Sequence, residues 1–247
     1  VSLSNVTKWL ATQAEELGVE IYPGMAASEP VFDQSGALKG VVAGVFGIGK
    51  DGHKKPDFQP GMELHGKYVF IAEGVRGSLA KVIQNKYDLA ANSDPQKFGI
   101  GIKELWEVPA AQHKPGLVLH TVGWPLDDNT GGGSFMYHFG DRQVYVGYVV
   151  HLNYKNPYIS PFDVFQQHKL HPEIRAHIEG GKRLAYGARA ITEGGFQSVP
   201  RLAFPGGALI GCSAGFVNVP RIKGSHNAMK SGMLAAEAAF DALSHGS

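Results

Sequence analysis

The chain has 247 residues, with 43% hydrophobic and 18% charged, and 23 Lys+Arg against 22 Asp+Glu leave a formal net charge of +1. These values exclude intrinsic disorder and give no basis for a nucleic-acid surface or a polybasic membrane patch. A single cysteine, Cys212, excludes an internal disulfide framework and any cysteine-ligated zinc or iron–sulfur site made by this chain alone. The 11 histidines are scattered without metal-ligand spacing, so no metal site is expected. Glycine is abundant, 33 residues against a usual share of ~7%, and without a Gly-X-Y period it marks tight turns and close backbone approaches.

Residues 4–17 place Val6, Trp9, Leu10, Ala14 and Leu17 at helical spacing, with Gly18 as the stop. Residues 19–22 read as a short strand closed by Pro23 and Gly24. A helix followed at once by a strand suggests an α/β unit whose preceding strand is not in this sequence. Hairpins follow, through the turn of residues 33–36 into a strand within 38–48, and then through Asp51 and Gly52. The apolar run 68–72 fits a strand covered on both faces, and a helix over 79–86 follows it.

Residues 98–108, 117–122, 133–139 and 143–152 are rich in β-formers. Ser160, Pro161 and Asp163 suit the N-cap, first and third positions of a helix that Pro172 ends or redirects. Residues 184–191 are another strand. Residues 202–220 carry no charge and have the length of a membrane span, but Pro205, Gly206, Gly207, Gly211, Gly215, Asn218 and Pro220 make them strand plus loop. Peripheral membrane contact stays open. A helix over 225–243 carries Ala228, Ser231, Gly232, Ala235, Ala236 and Ala239, small residues that let another backbone approach. The simplest architecture is an α/β domain, residues 1–82 and 192–247, interrupted by a mainly β domain of residues 83–191.

Three segments are candidates for chemistry. In the first, an apolar strand runs into Glu73-Gly74-Val75-Arg76-Gly77-Ser78 and a helix. Ligands of open α/β sheets sit beyond such carboxyl ends, although an ordinary strand–turn–helix has the same pattern. In the second, the strand ending at Gly211 and Cys212 leads to Gly224 and Ser225 at a helix start, where free N–H groups attract oxygens; Ser225 as an N-cap is the plainer reading. The third is Gly131-Gly132-Gly133 between strands, either a flexible hairpin loop or backbone donors beside apolar walls, which suit a quinone. Together the first two resemble the later flavin-binding segments of glutathione-reductase-like flavoproteins, without the Gly-x-Gly-x-x-Gly strand–turn–helix that precedes them there.

Longer strings carry a closer resemblance. They are residues 101–106 (GIKELW), 120–126 (HTVGWPL), 180–190 (GGKRLAYGARA), 193–198 (EGGFQS), 211–213 (GCS) and 229–237 (MKSGMLAAE). They resemble the electron-transfer flavoprotein–ubiquinone oxidoreductase family, over essentially the whole chain. The resemblance implies a mixed α+β and α/β chain, part of a glutathione-reductase-like FAD domain interrupted by a mainly β ubiquinone-binding domain. It implies FAD contacts at Glu73, Gly74, Arg76, Gly211, Gly224 and Ser225, and main-chain contacts to ubiquinone at Gly132 and Gly133. It also implies a [4Fe-4S] cluster whose ligands are absent from this chain. The partners it implies are electron-transfer flavoprotein, ubiquinone and a membrane surface met peripherally, at the matrix side of the mitochondrial inner membrane or the cytoplasmic side of a bacterial one. Gly131 stands where the family usually has an aromatic residue, and Ala214 where a proline is expected.

The activity implied is transfer of electrons from reduced electron-transfer flavoprotein to ubiquinone, with no side chain required as nucleophile or dedicated acid. The alternatives are a related flavin-dependent reductase of an isoprenoid or other apolar substrate, and a non-catalytic quinone-binding fragment. The chain alone is expected to be incomplete and inactive. Among single residues, Cys212 reads as a buried small residue, and His120 and His138 as satisfied structural or wall histidines. Lys103, Glu104, Lys182 and Arg183 read as solvated or paired surface charges, and Trp106 and Trp124 as core or pocket walls.

Overall fold

The computed structural model describes residues 2–246. These form two compact units: Tyr22–Gln96 with the residues from Thr192 on, and Lys97–Ile191 with the residues up to 21. Helix α1 (Leu3–Glu16) ends at Gly18, which takes φ +88. The Gly18 and Val19 N–H groups close on the carbonyls of Glu15 and Ala14 at 2.9 and 3.0 Å, a glycine-terminated helix end. Residues 19–22 form no strand, contrary to expectation. Val19, Ile21 and Tyr22 are half-exposed, and an extended segment without a ladder neighbour does not become a strand however apolar it is.

The first unit opens with β1 (Ala27–Phe32) and β2 (Leu38–Ala43), an antiparallel pair. Their turn is fastened by the Asp33 carboxylate, which accepts from Ser35 Oγ at 2.6 Å and Ala37 N at 2.9 Å. A separate hairpin joins β3 (Phe46–Ile48) to β4 (Lys54–Gln59), and β5 (Met62–His65) pairs with β2. Strand β6 (Val69–Ile71) is followed by helix α2 (Ser78–Lys86), whose Leu79, Ala80 and Ile83 enter a core with Leu38, Ile71 and Leu89. The 82/83 boundary drawn from sequence therefore falls inside a helix that packs as one piece; the chain passes to the other unit only after Gln96. Residues up to 21 also group with the second unit.

The second unit is built on one five-stranded sheet. Strands β7 (Phe98–Glu107), β8 (Val118–Val122), β9 (Gly132–Phe139) and β10 (Gln143–His151) are joined by β11 (Lys182–Thr192) in the order β11-β7-β10-β9-β8. Strands β8, β9 and β10 follow one another antiparallel, and β7 pairs antiparallel with β10. On β10, Val144, Val146, Tyr148 and Val150 alternate into the core. Helices α3 (Pro161–Lys169) and α4 (Pro172–Ile178) supply Val164, Phe165, Ile174 and Ile178 to that same core. Ser160 caps α3 as read, accepting from Asp163 N at 3.3 Å. Pro172 redirects the chain by opening α4 as its first residue.

Back in the first unit, β12 (Ala203–Phe204) and β13 (Gly207–Leu209) complete a three-stranded sheet with β6, and helix α5 (Ser225–Ser244) ends the fold. β13 runs parallel to β6, pairing Val69 with Gly207 and Ile71 with Leu209. Ile71 is buried, but Phe70 on the opposite side of the strand is 37% exposed, so β6 is covered on one face rather than two. Residues 202–220 are short strand and turn, and no helix among the described residues is long and apolar enough to cross a membrane.

Candidate functional sites

The first candidate site lies where β6 and β13 end side by side. Parallel pairing brings the turns after both strands out at the same sheet end, the carboxyl end. Ser213 Oγ donates to the Gly74 carbonyl at 3.2 Å, so the two segments marked in the sequence meet directly. Gly74 takes φ +81, a conformation glycine adopts without strain.

Glu73 has a local task. Its carboxylate accepts from Ala80 N at 2.7 Å and Leu79 N at 3.3 Å, the second and third N–H groups of α2. The N-cap itself is Gly77, which has no side chain to do this. A Cβ at 77 would collide with the Glu73 carboxylate, so the glycine leaves room for a cap supplied from four residues upstream. Arg76 is exposed on the same turn.

On the other segment, Gly211 takes φ +57 and donates its N–H to Ser231 Oγ at 2.9 Å; Ser231 donates in turn to the Ala228 carbonyl at 2.7 Å. A Cβ at 211 would stand 3.4 Å from that of Ala228. Of the small residues on α5, Ala228 and Ser231 thus receive a backbone, while nothing lies within 4 Å of a Cβ at Gly232. Gly224 is the N-cap of α5 and Ser225 its first helical residue, so Ser225 is not the cap that the plainer reading made it. Among the described residues no side chain caps this helix, and free N–H groups at a helix start attract oxygens. An uncapped helix start beside a glycine turn fits the oxygen-rich side of a flavin. Cys212 is half-buried, and burial raises its thiol pKa, which agrees with a packed small residue.

The second candidate site is in the other unit, at the start of β9. Gly132 and Gly133 are strand residues, not a flexible loop: Gly133 pairs with Val149 of β10 on one side and Val122 of β8 on the other. Neither glycine, nor Gly131, has positive φ. Their small size serves close approach, since a Cβ at 132 would collide with the Val149 carbonyl and one at 133 with the Thr121 carbonyl. Gly131 differs, because a Cβ there would meet a side chain, with His151 Nδ1 at 2.6 Å. The adjoining turn is held by Tyr148, whose hydroxyl donates to the Gly123 carbonyl with that of Trp124 3.1 Å away, and whose phenol is pushed up to about 12 by burial. Trp124 is 52% exposed, its ring 5.3 Å from that of His171 and 6.5 Å from that of His168.

Other residues sit differently from the sequence reading. Glu104, taken as a surface charge, is buried and accepts from Lys169 Nζ at 2.8 Å, Trp106 Nε1 at 2.9 Å and Arg183 Nη1 at 3.2 Å. His138 is a satisfied structural histidine. Its Nδ1 accepts from Lys114 N at 3.1 Å and its Nε2 lies 3.2 Å from His177 Nδ1. Burial, then the neighbouring His177, His113 and Lys114, lowers its pKa to about 4. His168 is also buried, and among the described residues neither ring nitrogen has a hydrogen-bond partner. Sequence reasoning passed over His151 and His168; their signal was only a polar residue inside an apolar β or helical pattern.

Residues 98–191 match the family model described as ETF-QO, ubiquinone-binding, a span that begins one residue inside the second unit and ends with it. The electron transfer flavoprotein-ubiquinone oxidoreductase of Oryza sativa subsp. japonica, a mitochondrial protein, is 57% identical over 249 residues, covering 100% of this chain and 43% of that protein. The Pseudomonas aeruginosa protein of that name is 54% identical, covering 100% of this chain and 45% of the other. Over its whole length the chain is similar to part of these electron transfer flavoprotein–ubiquinone oxidoreductases. It spans less than half the length of these curated relatives. Among solved structures, a geranylgeranyl bacteriochlorophyll reductase-like protein from Thermoplasma acidophilum superposes with a TM-score of 0.73 at 17% identity, over 98% of this chain and 54% of that one. That likeness shows a shared mixed α/β fold.

Proposed function

We propose that the protein containing this chain is an electron-transfer flavoprotein–ubiquinone oxidoreductase: electrons from reduced electron-transfer flavoprotein reach ubiquinone, which also takes up two protons. The observation that carries this reading is the match of residues 98–191, the sheet of the second unit with its two helices, to a ubiquinone-binding family model. The redox chemistry is supplied by FAD when bound. The residues assigned to hold it are Gly74 and Arg76 after β6, Gly211 after β13, and Gly224 and Ser225 at the start of α5. Glu73 supports the same turn by capping α2. Gly132 and Gly133 are assigned to the quinone, on a strand end from which side chains are absent. No residue of the chain is given a nucleophilic or dedicated acid role; its part is to bind, orient and keep water out.

A [4Fe-4S] cluster would need ligands from outside this sequence, since Cys212 is its only cysteine. The FAD contacts are assigned to a glutathione-reductase-like domain that the quinone-binding domain interrupts. The place of action is a respiratory membrane, mitochondrial or bacterial, met peripherally on its matrix or cytoplasmic side. A second reading, a flavin-dependent reductase of an isoprenoid, draws on the name of the Thermoplasma structure, but that likeness is one of fold. The test is an assay of the full-length, flavin-loaded enzyme with reduced electron-transfer flavoprotein and a short-chain ubiquinone, beside a prenyl-lipid substrate. Quinone reduction supports the proposal; turnover of the prenyl lipid alone overturns it.

A further inference from the structure

We propose that His151 is a residue of the quinone subsite, and that its imidazole forms the polar edge against which the quinone head seats. This rests on the assignment of Gly132 and Gly133 to the quinone. His151 ends β10, half-buried, and donates its N–H to the Gly131 carbonyl at 3.0 Å, so the two residues face each other across the strand pair immediately before Gly132. Its ring is folded over the space that a side chain at 131 would fill. A Cβ there would lie 2.6 Å from Nδ1 and 3.1 Å from Cε1 and Cγ.

On its other side His151 pairs with Gly99 of β7. Two residues back, Val149 lies between Gly101 and Gly133. Residues two apart share a strand face, so this end of the face carries His151 and Val149 between glycines on both neighbouring strands. A flat ring can lie on that bare backbone, with Val149 as an apolar neighbour. A quinone offers only acceptor oxygens, and His151 brings an imidazole donor within this set. Position 131 is therefore closed by a movable side chain rather than by backbone, and the residue that sets the shape of the subsite there is His151.

The geometry makes the two positions exchangeable. A large ring at 131 must displace His151, because the first contact is with a movable side chain and not with backbone, in contrast to 132 and 133. A tyrosine at 131 together with a glycine at 151 puts a ring with a polar end back over the same spot from the opposite strand.

The experiment uses the full-length, flavin-loaded enzyme and an azido-ubiquinone analogue. Photolabelling followed by peptide mapping asks where the quinone sits. Labelling of peptides that contain residues 131–133 or 147–151 supports the seat; labelling elsewhere overturns the seat and this inference together. Steady-state kinetics with a short-chain ubiquinone then test His151 itself, with flavin content and thermal midpoint read on the same preparations. His151→Ala is expected to raise the quinone KM by about 5-fold, the loss of one ordinary hydrogen bond, at unchanged flavin content. His151→Gln, which keeps a donor, should restore most of it. Gly131→Tyr should impair quinone use, and adding His151→Gly should recover it, a non-additive pair. If labelling maps to the segment but His151→Ala leaves KM unchanged, or the exchange pair is additive, the quinone seat survives and the role of His151 does not. A fall in midpoint that tracks the rise in KM across all four variants would show a structural role instead.

Discussion

At the scale of single residues, burial decides which polar groups matter. Glu104 is held inside the second unit by Lys169, whose side chain is itself only 12% exposed, and by Arg183. Removing one partner of a buried pair strands the other, which typically costs about 3–5 kcal/mol. Glu104→Ala should therefore lower the urea midpoint strongly; a loss no larger than that of a surface substitution would show the pair to be screened. His138 works through its proton. Its folded pKa of about 4 lies below the ordinary 6.5, so the fold holds the neutral ring while the unfolded chain binds a proton between those values. Its contribution is present above pH 6.5 and is lost as pH falls through 6.5 toward 4. His168, lowered to about 4 by burial and by His171, acts in the same sense. The thermal midpoint should fall across that window, and His138→Gln, which keeps an acceptor for Lys114 N, should flatten the profile. Parallel profiles for the two proteins would refute the assignment.

At the scale of elements, α2 is set by a cap from outside it and by its own apolar face. Its start is capped by the Glu73 carboxylate across Gly77, and its inner face is fastened by Ile83, which is fully buried. Glu73→Ala should destabilise the first unit by about 1 kcal/mol, as loss of a helix cap does. Ile83→Ala should cost about 2–5 kcal/mol, the range for removing a buried branched side chain. Denaturant unfolding of both variants checks this. Near-equal losses would mean that the cap and not the core holds the helix. The same helix explains the misplaced domain boundary: pattern shows where a helix runs, but not which core receives its apolar face.

At the scale of the whole molecule, the residues proposed to hold the flavin come from segments more than 130 positions apart, around Gly74 and Gly211, brought together by one parallel strand pair. They offer a glycine turn and a helix start, while the Gly-x-Gly-x-x-Gly string at residues 47–52 lies in the β3–β4 hairpin and opens no helix that could cradle a pyrophosphate. The chain alone should bind FAD weakly, with a Kd well above ~1 µM, because each missing charged hydrogen bond is worth about 1.5–3 kcal/mol. Absorbance titration measures this, and a yellow chromophore at unit stoichiometry in the purified chain would contradict it.

Local features were settled by the sequence by itself. The alternation of residues 98–152 specified the strands, Gly18 the end of α1, Ser160 the start of α3, and long strings such as residues 180–190 the likeness to the curated relatives. These follow from contacts a few residues apart, or from whole strings of residues compared at once, and neither depends on how distant segments meet. Tertiary structure decided what those contacts do not contain. Residues 19–22 form no strand, β6 is covered on one face, Glu104 is buried, and Glu73 turns to the helix after it. The three glycines at 131–133 look alike in sequence, yet 132 and 133 are closed by neighbouring backbone and 131 by a histidine from another strand. That difference depends on which strand lies alongside, which only the folded sheet determines.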